Sequence, residues 1–148
     1  MPTVIEQTAD LNAAPRDVFA FLTDPASRGE WDSSCERCTI EGDAPPAKGV
    51  RVHIAGRRAA PSWTGEYGRF DLNRGAALRL VEGVGMPFTS FIEGFQVEAR
   101  KGGCRLTLRV EYEVSGMLRM IEPLTVRSRM RRTTAKSLRN VEQHFAYP

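Results

Sequence analysis

The chain has 148 residues, 41% of them hydrophobic and 26% charged, with a net charge of +3, which is the composition of a soluble globular protein. No apolar run approaches the roughly 20 residues that a membrane-spanning helix needs, and the N-terminal segment lacks the basic start and apolar stretch of a signal peptide. We therefore expect one domain over residues 1–148, located in the reducing cytoplasm and with its cysteines as free thiols.

The first part of the chain predicts one strand followed by two short helices. Residues 3–12 begin with the β-branched side chains that favour a strand. Pro15 suits the first turn of a helix, and the apolar residues after it recur at helical spacing. Asp24 precedes Pro25 and is thereby disfavoured in the α region, which ends this helix. Residues 26–31 predict a second short helical turn.

Six further strands separated by turn signals are predicted from Cys35 onwards. The most regular is the last, in which apolar and polar residues alternate almost perfectly. The Arg-Lys-Gly-Gly sequence before it predicts a hairpin turn. The predicted strands cover residues 35–42, 49–56, 62–72, 77–83, 88–100 and 104–114.

Residues 118–146 form one long amphipathic helical pattern with a single proline near its start, where proline is tolerated. Its apolar side gathers Met120, Pro123, Met130, Thr134, Leu138, Val141 and Phe145. Its basic side gathers Arg129, Arg132, Lys136 and Arg139. Because an antiparallel sheet with one apolar face needs a cover, and this is the longest predicted helix, we expect it to lie on the sheet in an α+β fold.

Three segments precede the long helix in a recognisable order: Val-Phe-Ala-Phe-Leu-Thr-Asp-Pro-Ala-Ser-Arg-Gly-Glu-Trp at residues 18–31, Gly-Val-Arg-Val at 49–52, and the glycine-led strand at 102–114. In this order they resemble the START-like (SRPBCC) superfamily, and within it the polyketide cyclase/dehydrase-like branch. The resemblance covers essentially the whole chain. It implies a helix-grip fold, in which a curved antiparallel sheet of about seven strands wraps around the long C-terminal helix.

The same resemblance implies an elongated cavity for an apolar ligand between sheet and helix, without a cofactor and without catalytic residues common to all members. Large or adaptable side chains that would face this cavity are Trp63, Tyr67, Phe91, Phe95, Tyr112, Met120 and Met130. The competing interpretation is that these residues simply fill a core. The sequence leaves open which of them contact an open volume.

Arg127, with Arg131 beside it, falls within the apolar side of the helix, near Thr134. A buried guanidinium needs a partner because burying an unpaired charge is very costly. Glu93 is the best sheet carboxylate and Glu66 the second, while an acidic group of a ligand or water reached along the aliphatic stem are the alternatives.

One hypothesis is that Arg127 and Glu93 form the polar end of the pocket and orient a ligand that carries a carbonyl, hydroxyl or carboxylate. Thr134 belongs to the same predicted site.

The Cys-x-x-Cys sequence at Cys35 and Cys38 is not expected to be a redox or metal site. A redox pair normally lies at a helix N-terminus, whereas this one leads into a predicted strand. Structural zinc usually takes four nitrogen or sulfur ligands, and Cys104, His53 and His144 are scattered along the chain. No metal is therefore expected.

Three functions are compatible with the sequence. The first is binding of a small hydrophobic molecule that is lipid-like, polyketide-like or aromatic. The second is a cofactor-independent cyclase or dehydratase, in which Glu93, Tyr67 or Tyr112 would transfer protons. The third is an interaction protein that docks on an acidic partner or a membrane through the basic face of its last helix. Nucleic-acid binding is not expected, and a homodimer is left open.

Overall fold

Seven strands in one antiparallel sheet, with four α-helices, make up the computed structural model, which describes residues 2–83 and 85–146. The strands are β1 (Thr3–Leu11), β2 (Cys35–Ile40), β3 (Arg51–Gly56), β4 (Trp63–Asp71), β5 (Gly75–Gly83), β6 (Phe88–Arg100) and β7 (Gly103–Val114). The helices are α1 (Pro15–Thr23), α2 (Arg28–Trp31), α3 (Leu118–Ile121) and α4 (Val126–His144), with a 3₁₀ turn at Pro25–Ser27.

The sheet order is β1-β7-β6-β5-β4-β3-β2, so that the first strand pairs with the last and all other neighbours are consecutive hairpins. In the β1–β7 pair, Thr3 lies opposite Tyr112 and Leu11 opposite Cys104. The sheet is a curved half-barrel that carries the long C-terminal helix, and the predicted helix-grip fold is confirmed. No helix within the described residues is long and apolar enough to cross a membrane.

The alternation predicted for the last strand places one face of β7 in the core. Every second residue of this strand from Cys104 to Val114 is buried. Register shifts interrupt the pairing of β2 with β3, of β4 with β5, and of β6 with β7. Bulges of this kind increase the local twist and bend the strands, which curves the sheet towards the helix.

The C-terminal helix begins later than residues 118–146 predict. The chain forms the short helix α3, breaks at Glu122–Thr125 and starts again at Val126 as α4. Pro123 has no N–H to donate, so it cannot continue the hydrogen bonding of α3, which explains the interruption. Met120, predicted on the apolar side, is consequently 83% exposed.

The two predicted short helices after β1 are present as α1 and α2. Between them, Asp24 accepts a 3.1 Å hydrogen bond from the backbone N–H of Ala26, which caps the 3₁₀ turn. The turn places α2 next to the C-terminal half of α4. There the Ser33 N–H donates a hydrogen bond to Ser137 Oγ at 3.0 Å, and Asn140 Nδ2 donates one to the Trp31 carbonyl at 3.1 Å. The side chains of α2 are thereby held between the sheet and α4.

Candidate functional site

A small inner cavity of about 80 Å³ lies between the sheet, α2 and α4. Its apolar wall includes Leu78, Phe95, Leu108 and Val110. Charged and polar groups from α2 and the residue after it, from β6 and from α4 also line the cavity, and they include Arg28, Asp32, Glu93 and Thr134. The inner cavity therefore combines an apolar lining with a charged cluster.

An outer groove of about 280 Å³ adjoins the inner cavity. It is bounded by Ala60 and Pro61 from the β3–β4 loop, by Met86 and Pro87 from the β5–β6 loop, and by the first turns of α4. The two hollows share the wall residues Ser34, Phe91, Met130 and Thr133. Because the side chain of Met130 is flexible, this shared wall is adaptable.

The polar end of the inner cavity is built around Arg28. Its guanidinium is 2.9 Å from the carboxylate of Asp32, the residue that directly follows α2, and it also pairs with Glu93 of β6. Arg28 and Asp32 are buried, and the side chain of Glu93 is mostly buried. Burial alone would lower the pKa of Arg28, but Asp32, together with Cys38 and Tyr67, holds that pKa above its ordinary value.

Trp31 lines this end of the cavity and carries a buried indole N–H. The side chain lines the inner cavity and is 7% exposed, yet its indole N–H has no hydrogen-bond partner among the described residues. The Arg28 guanidinium lies 5.1 Å from the centre of the Trp31 ring, which is a cation–π distance. A buried polar group without a partner is unusual and is costly unless water or a ligand satisfies it.

Tyr67 of β4 also lines the inner cavity. Its hydroxyl forms no side-chain hydrogen bond in the part of the chain that the structure describes. Burial raises the pKa of Tyr67, so the phenol stays protonated at neutral pH. This wall therefore offers a neutral hydroxyl beside a charged cluster.

The structure brings six of the ten predicted site residues to the inner cavity. Trp63 instead lines the outer groove, and three residues lie at neither hollow: Tyr112, Met120 and Arg127. The residues at the inner cavity are Tyr67, Phe91, Glu93, Phe95, Met130 and Thr134.

The predicted pairing of Arg127 with Glu93 is wrong. Arg127 Nη2 lies 3.1 Å from Glu122, in the break before α4, and Glu93 pairs with Arg28 instead. The second candidate, Glu66, pairs with two exposed arginines of the sheet. The hypothesis failed because the break displaces the start of α4 and supplies a carboxylate five residues from Arg127.

Glu122 is a buried carboxylate with three hydrogen-bond donors. Tyr112 Oη donates to it at 2.6 Å, Thr3 Oγ1 at 3.0 Å and Arg127 Nη2 at 3.1 Å. Burial alone would raise the pKa of Glu122, but these donors hold it below its ordinary value. Burial and the hydrogen bond to Glu122 raise the pKa of Tyr112 well above its usual range. These hydrogen bonds hold the break between α3 and α4 against the sheet. The cluster lies outside the inner cavity.

Arg28, Trp31 and Asp32 were not predicted as site residues. The available signal was the spacing of Arg28 and Asp32, an opposite-charge pair four residues apart that starts in the predicted helical turn and ends just after it. The sequence could not show that Glu93 would complete the cluster, because that contact joins α2 to the middle of β6.

The two cysteines of the Cys-x-x-Cys sequence lie in β2, where Cys35 is buried and Cys38 partly buried. Burial raises the pKa of the Cys35 thiol to about 12 and raises that of Cys38. Both thiols are thus protonated at neutral pH. Across residues 2–83 and 85–146 no group of three or more His, Cys, Asp or Glu side chains is arranged to hold a metal ion.

Comparison with known proteins assigns the fold to a family. A family described as polyketide cyclase/dehydrase and lipid transport matches residues 2–146. An uncharacterized protein of Mycobacterium tuberculosis is 26% identical over 118 residues, which are 80% of this chain and 70% of that protein.

Two solved structures show the same fold. The major latex-like protein 151 of Panax ginseng superposes with a TM-score of 0.75 at 14% identity, covering 100% of this chain and 99% of that one. A START superfamily protein of Mycobacterium smegmatis superposes with a TM-score of 0.72 at 14% identity, covering 95% and 97%.

Proposed function

The chain belongs to the polyketide cyclase/dehydrase and lipid transport family, and from that premise we propose that it binds a hydrophobic molecule carrying a hydroxyl group. The apolar body of the ligand lies in the outer groove, and the hydroxyl enters the inner cavity. The observation that carries the proposal is the unpartnered N–H of Trp31 beside the Arg28–Asp32–Glu93 cluster.

The volumes of the two hollows limit how the ligand is divided between them. A cavity of about 150 Å³ accommodates benzene, and ordinary ligand pockets begin near 300 Å³. The inner cavity of about 80 Å³ is too small for a ring, whereas the outer groove of about 280 Å³ is close to that range. A ligand with a small polar group in the cavity and a larger apolar part in the groove fits both volumes, with Phe91 and Met130 at the junction.

The charges at the polar end select the head group. One guanidinium faces two carboxylates, so the cluster has a net negative charge that disfavours a carboxylate ligand. A hydroxyl can accept a hydrogen bond from the Trp31 N–H and donate one to Glu93. A ligand carbonyl can only accept a hydrogen bond, so it would donate none to Glu93.

The test compares three probes of one ring system: 2-naphthol, naphthalene and 2-naphthoate, titrated by fluorescence or calorimetry. We expect 2-naphthol to bind tightest and 2-naphthoate weakest. Trp31→Phe removes one hydrogen bond, and Glu93→Gln replaces a charged acceptor with a weaker neutral one. Each should weaken 2-naphthol binding by about 3- to 10-fold while leaving naphthalene unchanged. Glu98→Gln is the matched control, since Glu98 lies exposed on the same strand and contacts Arg100.

Two results would contradict this assignment. The first is equal affinity of the wild type for 2-naphthol and 2-naphthoate, because the negative cluster would then not face the ligand. The second is undiminished 2-naphthol binding by both Trp31→Phe and Glu93→Gln.

A second candidate function is proton transfer to a bound, enolisable ligand. It is favoured by one observation: Tyr67, kept protonated by burial, and the Glu93 carboxylate line the same small cavity. Incubation with a poly-β-ketone, followed by mass spectrometry, tests for a cyclised or dehydrated product. Turnover that is lost in Tyr67→Phe would favour the enzyme, and binding without conversion would favour the carrier.

A further inference from the structure

We propose that the segment preceding α4 is a docking surface for an anionic lipid bilayer. The surface consists of an apolar tip, formed by Met117, Met120, Ile121 and Leu124, and of the exposed arginines at the start of α4. This inference is independent of which ligand the inner cavity accepts.

The apolar tip concentrates large hydrophobic side chains that point into solvent. Met117, Met120 and Leu124 are 86%, 83% and 80% exposed, and Ile121 is 46% exposed. Only Val4 and Leu72 are exposed large hydrophobic residues elsewhere among those the structure describes. Scattered single residues of this kind are normal, whereas a cluster in one short segment marks an interaction site.

The packing of Glu122 explains why these side chains face outwards. Its carboxylate is held inside by Tyr112 and Thr3, and it accepts hydrogen bonds from Arg127. With Glu122 anchored and Pro123 breaking the helix, the neighbouring apolar residues are left on the outer side of the turn. The exposure of the tip therefore follows from a rigid internal contact.

Positive charge follows the apolar tip in the chain. Arg129, Arg131 and Arg132 are exposed, and none of them forms an ion pair with a described carboxylate. The acid in this region, Glu122, is buried and neutralised by Arg127. Exposed arginines close in sequence to protruding apolar side chains match an anionic bilayer, where the arginines meet headgroups and the apolar groups enter the acyl boundary.

The shape of the tip favours a bilayer over a second copy of the chain. Side chains that are more than 80% exposed stand away from the body of the protein. A stable protein interface needs roughly 800 Å² from each partner in a complementary patch, which a four-residue projection does not supply.

The outer groove is lined by Val126, Arg129 and Met130, which directly follow the tip in the chain. Docking by the tip therefore brings the groove close to the lipid.

The experiment is co-sedimentation of the whole chain with vesicles of phosphatidylcholine alone or with ~30 mol% phosphatidylserine, at ~0.05 M and ~0.5 M NaCl. We expect binding to the anionic vesicles at low salt and at least a tenfold loss of affinity at high salt.

The triple variant Met117→Ser/Met120→Ser/Leu124→Ser should lose at least tenfold in affinity for the anionic vesicles. Arg131→Gln/Arg132→Gln should lose about tenfold or more, since each basic residue near the surface contributes roughly fivefold.

The matched control is Leu72→Ser/Arg74→Gln, which removes a 71% exposed leucine and an exposed arginine from the β4–β5 turn. It should bind anionic vesicles as the wild type does. Absence of binding to anionic vesicles, or equal binding by the triple variant, overturns the proposal. Concentration-dependent dimerisation that the triple variant abolishes would assign the tip to a second copy, and would also overturn it.

Failure here is distinguishable from failure of the ligand proposal. The tip residues line neither the inner cavity nor the outer groove. The triple variant should therefore bind 2-naphthol with unchanged affinity, whatever the vesicles do.

Discussion

The hydroxyl of Tyr112 donates a 2.6 Å hydrogen bond to the carboxylate of Glu122, and this contact joins the end of β7 to the break before α4. Glu122 in turn pairs with Arg127 and keeps that guanidinium away from Glu93. Glu93 is left to pair with Arg28, which creates the polar end of the inner cavity. One buried carboxylate thus holds the break before α4 against the sheet and pairs with the arginine that the sequence suggested for the cavity.

Removal of the Tyr112 hydroxyl should destabilise the fold. Tyr112→Phe takes away a hydrogen bond to a buried charged group, which contributes about 1.5–3 kcal/mol, and we expect a loss of that size in the free energy of unfolding measured with urea. Tyr67→Phe is the control, because that hydroxyl has no side-chain hydrogen bond to any described residue. Equal losses in the two variants would contradict the role assigned to Tyr112.

Glu122 should make stability fall in acid. Its folded pKa lies below the ordinary value of 4.5, so the stabilisation is fully present above that value and is lost as the pH falls through the folded pKa. Glu122→Gln should be less stable than the wild type at pH ~7 and should lose less stability between pH ~7 and pH ~3. Urea midpoints across this pH range provide the measurement, and parallel pH profiles would refute the assignment.

Arg28→Met should be strongly destabilising because it leaves the buried carboxylate of Asp32, and that of Glu93, without a counter-charge. Breaking a buried ion pair by removing one partner costs about 3–5 kcal/mol, and we expect a loss near the lower figure since Glu93 is partly exposed. Urea denaturation measures this loss in the free energy of unfolding.

The double variant Arg28→Met/Asp32→Asn should recover part of the loss. The control Arg105→Met, which breaks an exposed pair with Asp10, should change stability little.

The thiol of Cys35 should be inert in the folded protein. Burial raises its pKa to about 12, so almost no thiolate exists at neutral pH, and the side chain is inaccessible. An aromatic disulfide reagent should modify Cys35 only after unfolding, at the rate of the denatured chain. Rapid modification of Cys35 in the native state at pH ~8 would show that the Cys-x-x-Cys sequence is a reactive site after all.

Local patterns predicted the secondary structure because their physical causes are local. The alternation over residues 104–114 reflects one buried and one exposed face of β7 and required no knowledge of its neighbours. The same local approach predicted one helix over residues 118–146 and missed the break at Pro123. A proline near a helix start is tolerated on local grounds, and it was the burial of Glu122 by Tyr112 and Thr3 that stabilised the interruption.

By itself the amino-acid sequence determined the order of the strands and helices and the inward faces of the last strand and of α4. These features depend on the periodicity and turn residues of short segments, whereas the helix-grip architecture was implied by the resemblance to the START-like superfamily. Tertiary structure alone decided that Arg28 rather than Arg127 pairs with Glu93, that Met120 faces solvent, and that the inner cavity is only about 80 Å³ in volume. The reason is that a buried charge pairs with whichever opposite charge the packing of distant segments brings near, and no short stretch of sequence contains that information.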